Sequence, residues 1–393
     1  IIKSLGFRGL YRRQGAIPDA YDKAFEWIFQ ALSRAALTST DIYWITGKLG
    51  AGKSTLMKFL IEHRAVREHL EHWSSNKQLV FVSFYFWNAG SEMQRTQEGL
   101  LRTILGQVLT QIPSIVSPVC PRRWAWFKFF GEQAIGLAPK RTWEELIKNF
   151  SALSGFIGDE FQLALFIDGL DEFEGRHETL IDFIRLLQAR PGTKICVSSR
   201  PLIVFTDAFT RNPCLRVEDL TRADIETFAR GEFGRTVGFR ELRDTLPSKA
   251  SQLIKDVVTK ANGVFLWVSL VARTLCEGFT DGDSLSSLQA TLDDLPSDLH
   301  ELYQRIWRRI SPKHLRDSCH LFRIQYASTQ PLHATTFWLA DEYNMSVDIV
   351  AASTAHSDYI LGSMRRRLNS RTQGLLEVSH DDYVDYLHRS VRE

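Results

Sequence analysis

The octapeptide Gly47-Lys-Leu-Gly-Ala-Gly52-Lys53-Ser54 constrains this chain more than any other feature. It fits the spacing G-x-x-x-x-G-K-[ST], in which glycines let the backbone turn its N–H groups inward around phosphate oxygens. A short apolar run, Asp41-Ile-Tyr-Trp-Ile-Thr46, precedes it and reads as a buried strand. Lys53 to His72 follows with helical periodicity, and the positive end of such a helix favours the same anion. A chance match to this spacing is expected in roughly one chain per hundred of this length, and the strand and helix flanks lower that further. Lys53 is expected to reach the β- and γ-phosphates, and the Ser54 hydroxyl to ligate Mg²⁺. Gly47, Gly50, Ala51, Gly52 and Thr55 complete the expected cradle, and the implied ligand is ATP or ADP with Mg²⁺.

An acidic residue at the end of a buried strand is the expected companion. Leu163-Ala-Leu-Phe-Ile-Asp168 supplies it, because an apolar run covering both sheet faces leaves Asp168 at the carboxyl edge, where open α/β sheets bind ligands. Asp168 is expected to hold Mg²⁺ through water. Asp168, Asp171 and Glu172 lie close enough in sequence to repel one another unless a cation or water separates them. Asp171 or Glu172 is a candidate to orient an attacking water. Gly169 stands where many ATPases with this loop keep a catalytic Glu, so slow or differently arranged hydrolysis is expected. Arg200 ends the run Cys196-Val-Ser-Ser-Arg200-Pro201, and Pro201 fixes where it leaves the strand. A cation there is expected to sense the γ-phosphate.

Further apolar runs at Leu79–Phe86, Phe161–Ile167 and Lys194–Ser199, with Cys214–Val217 as a fifth, alternate with helical segments. The pattern predicts an α/β P-loop NTPase fold on a parallel sheet of order 5-1-4-3-2. Upstream, Ala24, Phe25, Ile28, Ala31 and Leu32 give helical spacing over Tyr21–Leu37. Past about Leu220 the pattern turns mainly helical, at Arg222–Phe233, Leu253–Glu277, Asp298–Ile310 and Pro312–Phe322. A strand pair is expected at Leu375–Val378 and Tyr383–Leu387, and a polar linker at Asp281–Ser287.

Composition narrows the partners. The 393 residues exceed one small core, and 48 basic against 46 acidic residues leave a net charge of +2. That balance gives no electrostatic reason to expect nucleic acid or an anionic membrane as the main partner. The 5 cysteines include no C-x-x-C pair, which argues against a disulfide scaffold or zinc site and for a reducing, cytoplasmic setting. No apolar run approaches the ~20 residues of a membrane span. The chain starts at Ile1 and stops inside a patterned segment, so a fragment of a longer protein is expected.

These motifs together resemble the NACHT-type STAND NTPases, in the branch of fungal NOD-like receptors and heterokaryon-incompatibility proteins. The resemblance is carried by Arg13-Gln-Gly-Ala-Ile17-Pro-Asp-Ala20 with Phe25-Glu-Trp27-Ile-Phe29, by Val82-Ser-Phe-Tyr-Phe86-Trp-Asn-Ala-Gly90, by Asp168-Gly-Leu-Asp-Glu172 and by Ser198-Ser-Arg200-Pro201. Downstream it is carried by Leu220-Thr-Arg-Ala-Asp-Ile225, Ala261-Asn-Gly263-Val-Phe-Leu-Trp267, Leu295-Pro296-Ser-Asp-Leu299, Gly374-Leu-Leu-Glu-Val378 and Leu387-His388-Arg-Ser-Val391. It implies a pre-P-loop segment at 1–36, a nucleotide-binding domain at 37–218, a helical domain at 219–297 and an incomplete winged-helix-like domain at 298–393. It also implies a switch, closed with ADP and self-oligomeric with ATP, with an N-terminal effector and C-terminal repeats outside this chain. His388 aligns with a winged-helix histidine that touches the ADP β-phosphate in related proteins. Ala24, Phe265 and Gln373 depart from the family pattern, which leaves Ile17 and Pro18 only as candidates for adenine contact.

Two other classes compete: a conventional P-loop ATPase or kinase, and a scaffold that binds nucleotide without turnover. No basic kinase lid and no L-S-G-G-Q-like signature is present. Trp124, Trp126, Phe127, Phe129 and Phe130 beside Arg122 and Arg123 read as packing rather than base stacking, and Arg365–Arg367 as a solvated helix face. Arg95 and Arg102 are weak candidates to contact a neighbouring subunit's nucleotide.

Overall fold

The structure is a computed structural model and describes residues 1–21, 24–28, 42–75, 77–131, 139–328, 331–342, 357–379 and 381–392. The expected helix over Tyr21–Leu37 falls mostly outside the described residues; within it, Ala24, Phe25 and Ile28 are buried. The chain divides into two units, Ile1–Lys48 with Gly52–Leu220 and Leu49–Ala51 with Thr221–Glu393.

In the first unit the apolar runs form β1 (Ile42–Thr46), β2 (Gln78–Tyr85), β3 (Phe161–Asp168), β4 (Thr193–Ser199) and β5 (Cys214–Arg216). They pair in parallel in the order β2-β3-β4-β1-β5, which is 5-1-4-3-2 read from the opposite edge. Successive strand residues face opposite sides of a sheet, and Leu163 through Ile167 of β3 are all buried, so both faces are covered. That double coverage is why β3 reads as a continuous apolar run rather than an alternating one.

The β2 strand lies at a sheet edge, where a row of backbone groups lacks a neighbouring strand. Two glutamines of the helix Gln97–Gln111 fill that role. Gln107 accepts from the Ser83 N–H at 2.9 Å and donates to the Ser83 carbonyl at 3.1 Å. Gln111 does the same for Phe81, at 3.3 and 2.8 Å. The same helix buries Leu101, Ile104, Leu105 and Val108.

Several helices end where local chemistry stops them, not where periodicity predicts. The predicted helix Lys53–His72 is two helices, Lys53–Glu62 and Arg64–Ser74. His63 between them is extended, and its Nδ1 caps the second helix by accepting from the Ala65 N–H. In the second unit the predicted helix Leu253–Glu277 is also two, Pro247–Ala261 and Phe265–Asp281. Asn262 and Gly263 both adopt positive φ there, the left-handed geometry that closes helix C-termini. The expected linker Asp281–Ser287 is instead a tight turn: Gly282 at φ 78° caps one helix, and the Ser284 side chain accepts from the Ser287 N–H to start Leu285–Asp294.

The remaining second unit holds the helices Arg222–Gly234, Val237–Thr245 and Leu299–Arg308 around one core, with Trp267 fully buried and its indole N–H donating to the Pro296 carbonyl at 2.7 Å. A smaller core gathers Leu321, Phe337, Met364, Leu376 and Val384 from the helices Leu315–Ala327, Ala334–Asp341 and Ser357–Thr372 and from an antiparallel hairpin. The hairpin strands, Leu376–Val378 and Val384–Tyr386, sit inside the expected pair.

The glutamine ladder generates a test. Gln107→Leu keeps side-chain volume but strips two hydrogen bonds from half-buried Ser83, and is expected to lower stability by about 1–2 kcal/mol in urea unfolding. An unchanged midpoint would mean that the edge of β2 does not need this partner.

Candidate nucleotide-binding site

The loop after β1 is shaped by its glycines. Gly50 and Gly52 have φ of 72° and 97°, a region that side chains with a Cβ rarely adopt. Gly52 is also the N-cap of the helix Lys53–Glu62 and supplies no side-chain cap. The first intrahelical bond is donated by the Leu56 N–H to the Gly52 carbonyl, so the N–H groups of Lys53, Ser54 and Thr55 begin the helix with no intrahelical acceptor. Those donors and the helix dipole converge where an anion would sit. Lys53 Nζ arches over the loop and donates to the carbonyls of Gly47 and Lys48 at 2.8 and 2.9 Å. The Lys48 N–H donates to Glu218 at 3.3 Å, which ties the base of the loop to the segment just after β5. Ala51 is fully buried.

On β3, Asp168 is 1% exposed. The Ser198 hydroxyl, at the end of β4, donates to Asp168 Oδ1, and the same hydroxyl accepts from the Gly169 N–H at 3.0 Å. The other carboxylate oxygen, Oδ2, is buried and has no hydrogen-bond partner among the described residues. A buried carboxylate oxygen left in this state costs free energy unless a cation or water completes it. Hard oxygen donors, one carboxylate and the Ser54 hydroxyl, suit Mg²⁺, which keeps several waters and uses few protein ligands. No group of three or more His, Cys, Asp and Glu able to cage a metal occurs among the described residues. Asp168 and Ser54 would hold the ion, which would supply charge neutralisation at the phosphates.

Beyond Asp168 the chain turns sharply through Gly169 at φ 73° into the short turn Leu170–Glu172. This places Asp171 against Arg200: the carboxylate accepts from the Arg200 backbone N–H and from its Nε–H, both at 2.9 Å. The Asp171 side chain is 2% exposed and that of Arg200 28%, so the pair is shielded on its acidic side. Glu172, 7% exposed, accepts from the Asn88 N–H at 2.9 Å. Both acidic candidates for orienting water are thus engaged in holding loops together.

Because β1, β4 and β3 are neighbours, Lys53 and Ser54, Arg200, and Asp168 with Asp171 emerge at one carboxyl edge. His388 belongs to the second unit, where its Nδ1 lies 2.7 Å from the Ser390 hydroxyl, which in turn lies 2.7 Å from the Tyr303 hydroxyl. Ser198 and Glu218 carry parts of the site that the sequence does not single out. Isolated polar residues of this kind have no spacing signal, although Ser198 sits within the quoted Ser-Ser-Arg-Pro motif. Among the described residues no helix is long and apolar enough to cross a membrane.

Two family models match parts of the chain. One, described as nephrocystin 3, N-terminal, matches residues 23–200. The other, described as a domain of unknown function (DUF7791), matches residues 309–393. No curated protein matches the chain. Among solved structures, Drosophila ORC bound to DNA is similar over 100% of this chain and 88% of that one, at 12% identity and a TM-score of 0.40. Cdc6p from Pyrobaculum aerophilum is similar over 99% and 94%, at 12% identity and a TM-score of 0.33. A point variant of Thermotoga maritima RuvB is similar over 96% and 98%, at 11% identity and a TM-score of 0.31. By its sheet order and the loop after β1, the first unit is a nucleotide-binding P-loop NTPase fold.

Asp168→Asn keeps the shape of the side chain and an acceptor for Ser198 but removes the charge. Titration of a nucleotide with and without Mg²⁺ should show metal-free affinity unchanged and the gain from Mg²⁺ reduced at least ~10-fold. A full gain in the variant would place the metal elsewhere.

Proposed function

We propose that this chain is a nucleotide-dependent switch of the NACHT/STAND type that binds ATP or ADP with Mg²⁺, hydrolyses ATP slowly and self-associates in the triphosphate-bound state. In this reading Lys53, with Gly47, Gly50, Ala51, Gly52 and Thr55, cradles the phosphates. Ser54 holds the metal directly and Asp168 through water. Arg200 reads the γ-phosphate from the end of β4, with Asp171 fixing its direction.

The observation that carries slow turnover is the engagement of both acidic side chains after Asp168. Asp171 is forked by Arg200 and Glu172 is bound by the Asn88 N–H. Gly169 itself offers no carboxylate, and its φ of 73° disfavours one. A positioned general base contributes about 10²–10⁴-fold, so its lack supports a timer rather than a fast enzyme. The second unit supports the switch further, since neither helices nor a terminal hairpin are needed for hydrolysis alone. By family resemblance these correspond to the helical and winged-helix domains, with His388 as the contact that holds ADP in the closed form. An N-terminal effector, C-terminal repeats and a cytoplasmic setting complete the proposal. A net charge of +2 gives no support for a role on nucleic acid.

Lys53→Ala tests the phosphate assignment: nucleotide affinity should fall by at least ~100-fold with the circular dichroism spectrum unchanged, and retained tight binding would contradict it. For the unaltered chain, steady-state turnover should lie ~100-fold or more below the median enzyme rate of about 10 per second. A non-hydrolysable ATP analogue should shift its elution toward larger assemblies and ADP should not. Fast turnover with no change in assembly would identify a conventional ATPase, and binding with neither would identify a scaffold.

A further inference from the structure

The edge of the sheet beyond Asp168 carries a second buried polar group that the reading above does not use. Tyr85 ends β2 and is paired in register with Asp168 on β3. Register partners in parallel strands point to the same face, so the two side chains lie side by side at the carboxyl edge. The backbone holds them there, since the Phe86 N–H donates to the Asp168 carbonyl at 3.0 Å. Tyr85 is 6% exposed, yet its hydroxyl has no hydrogen-bond partner among the described residues. Buried tyrosine hydroxyls usually find one.

A phenol keeps its proton near neutral pH, so this hydroxyl is a donor. Burial, with the negative fields of Asp168 and Glu62, raises its pKa further, and the Arg13 guanidinium opposes them. Asp168 Oδ2, the neighbouring orphan, is an acceptor. Since neither atom has a hydrogen-bond partner among the described residues, the two do not bond directly, although the charge of one is felt at the other. A donor and an acceptor buried together beyond direct reach are the setting in which one water bridges both. The Arg13 Nε–H, buried and also without a hydrogen-bond acceptor among the described residues, adds a third polar group nearby, its guanidinium packed over Trp87 at 5.9 Å.

We propose that Tyr85 is a positioning residue of the metal site: its hydroxyl and Asp168 Oδ2 share one water between the ends of β2 and β3, and this water fixes the carboxylate in the orientation that binds Mg²⁺. The Tyr85 O–H donates to the water oxygen, and the water donates to Oδ2. With Ser198 anchoring Oδ1, both carboxylate oxygens are then oriented from opposite sides, by β4 and by β2. Partners of this outer kind typically contribute about 10–100-fold in metal affinity. The inference rests on Asp168 as the metal-binding carboxylate of a nucleotide site.

The test is a double-mutant cycle on the whole chain. Affinity for a non-hydrolysable ATP analogue is measured with Mg²⁺ and with EDTA for the unaltered chain, Tyr85→Phe, Asp168→Asn and the double variant. Tyr85→Phe removes one oxygen and no carbon. It is expected to leave metal-free affinity unchanged and to reduce the gain from Mg²⁺ by about 10-fold. In the Asp168→Asn background the same change should add less than ~2-fold, because both residues act through one water. A full Mg²⁺ gain in Tyr85→Phe would overturn the proposal. So would an equal loss in both backgrounds, or a loss of metal-free affinity, since each would mark a role apart from Asp168. If the unaltered chain binds no nucleotide under either condition, the nucleotide reading itself falls and this inference with it. If it binds nucleotide but Tyr85→Phe changes nothing, only this inference falls.

Discussion

A carboxylate taken out of water must be answered by donors or by a cation, and Asp168 sets that requirement for the first unit. Asp168 at the end of β3 is buried, and among the described residues only one of its two oxygens is answered, through Ser198. The same serine hydroxyl receives the Gly169 N–H, so β4, the carboxylate and the turn that follows are locked in one chain of hydrogen bonds. The second oxygen has no hydrogen-bond partner among the described residues. That asymmetry is the feature on which the proposed metal site rests, because a buried acid kept for structure is usually satisfied throughout.

Asp171 shows the contrast. Both of its oxygens are taken by Arg200, one through the backbone N–H and one through the guanidinium. Breaking one partner of a buried pair is costly, but Arg200 is partly open to solvent and water screens part of that cost. The fork sets the direction in which the guanidinium leaves β4 and draws the Leu170–Glu172 turn against it. Glu172 reaches the opposite way, to Asn88 in the segment after β2. Two adjacent acids thus pin the turn from two sides.

Much of this was legible in the sequence, for identifiable reasons. A strand buried on both faces, as β3 is, is a continuous apolar run, and all five strands fall within one residue of the expected limits. The loop Gly47–Ser54 is legible because its backbone demands glycine at fixed spacing. Helix ends were less so. The breaks at His63 and at Asn262–Gly263 depend on a side-chain cap and a left-handed pair, neither of which disturbs apolar periodicity. The hydrogen bonds of Asp171 and Glu172 were hidden for another reason, since composition shows three acids but not which oxygens are already bound. Ser198, Glu218, Gln107 and Tyr85 act across strands or helices distant in sequence, through single contacts that leave no pattern along the chain.

The central claim is a magnesium–nucleotide site that keeps its product. The most direct measurement is to denature the purified chain and identify what it releases, by anion-exchange chromatography for nucleotide and by elemental analysis for metal. ADP near one equivalent, with magnesium alongside, is the predicted result. Release of neither, from a chain that also fails to take up added ADP or ATP with Mg²⁺, would contradict it.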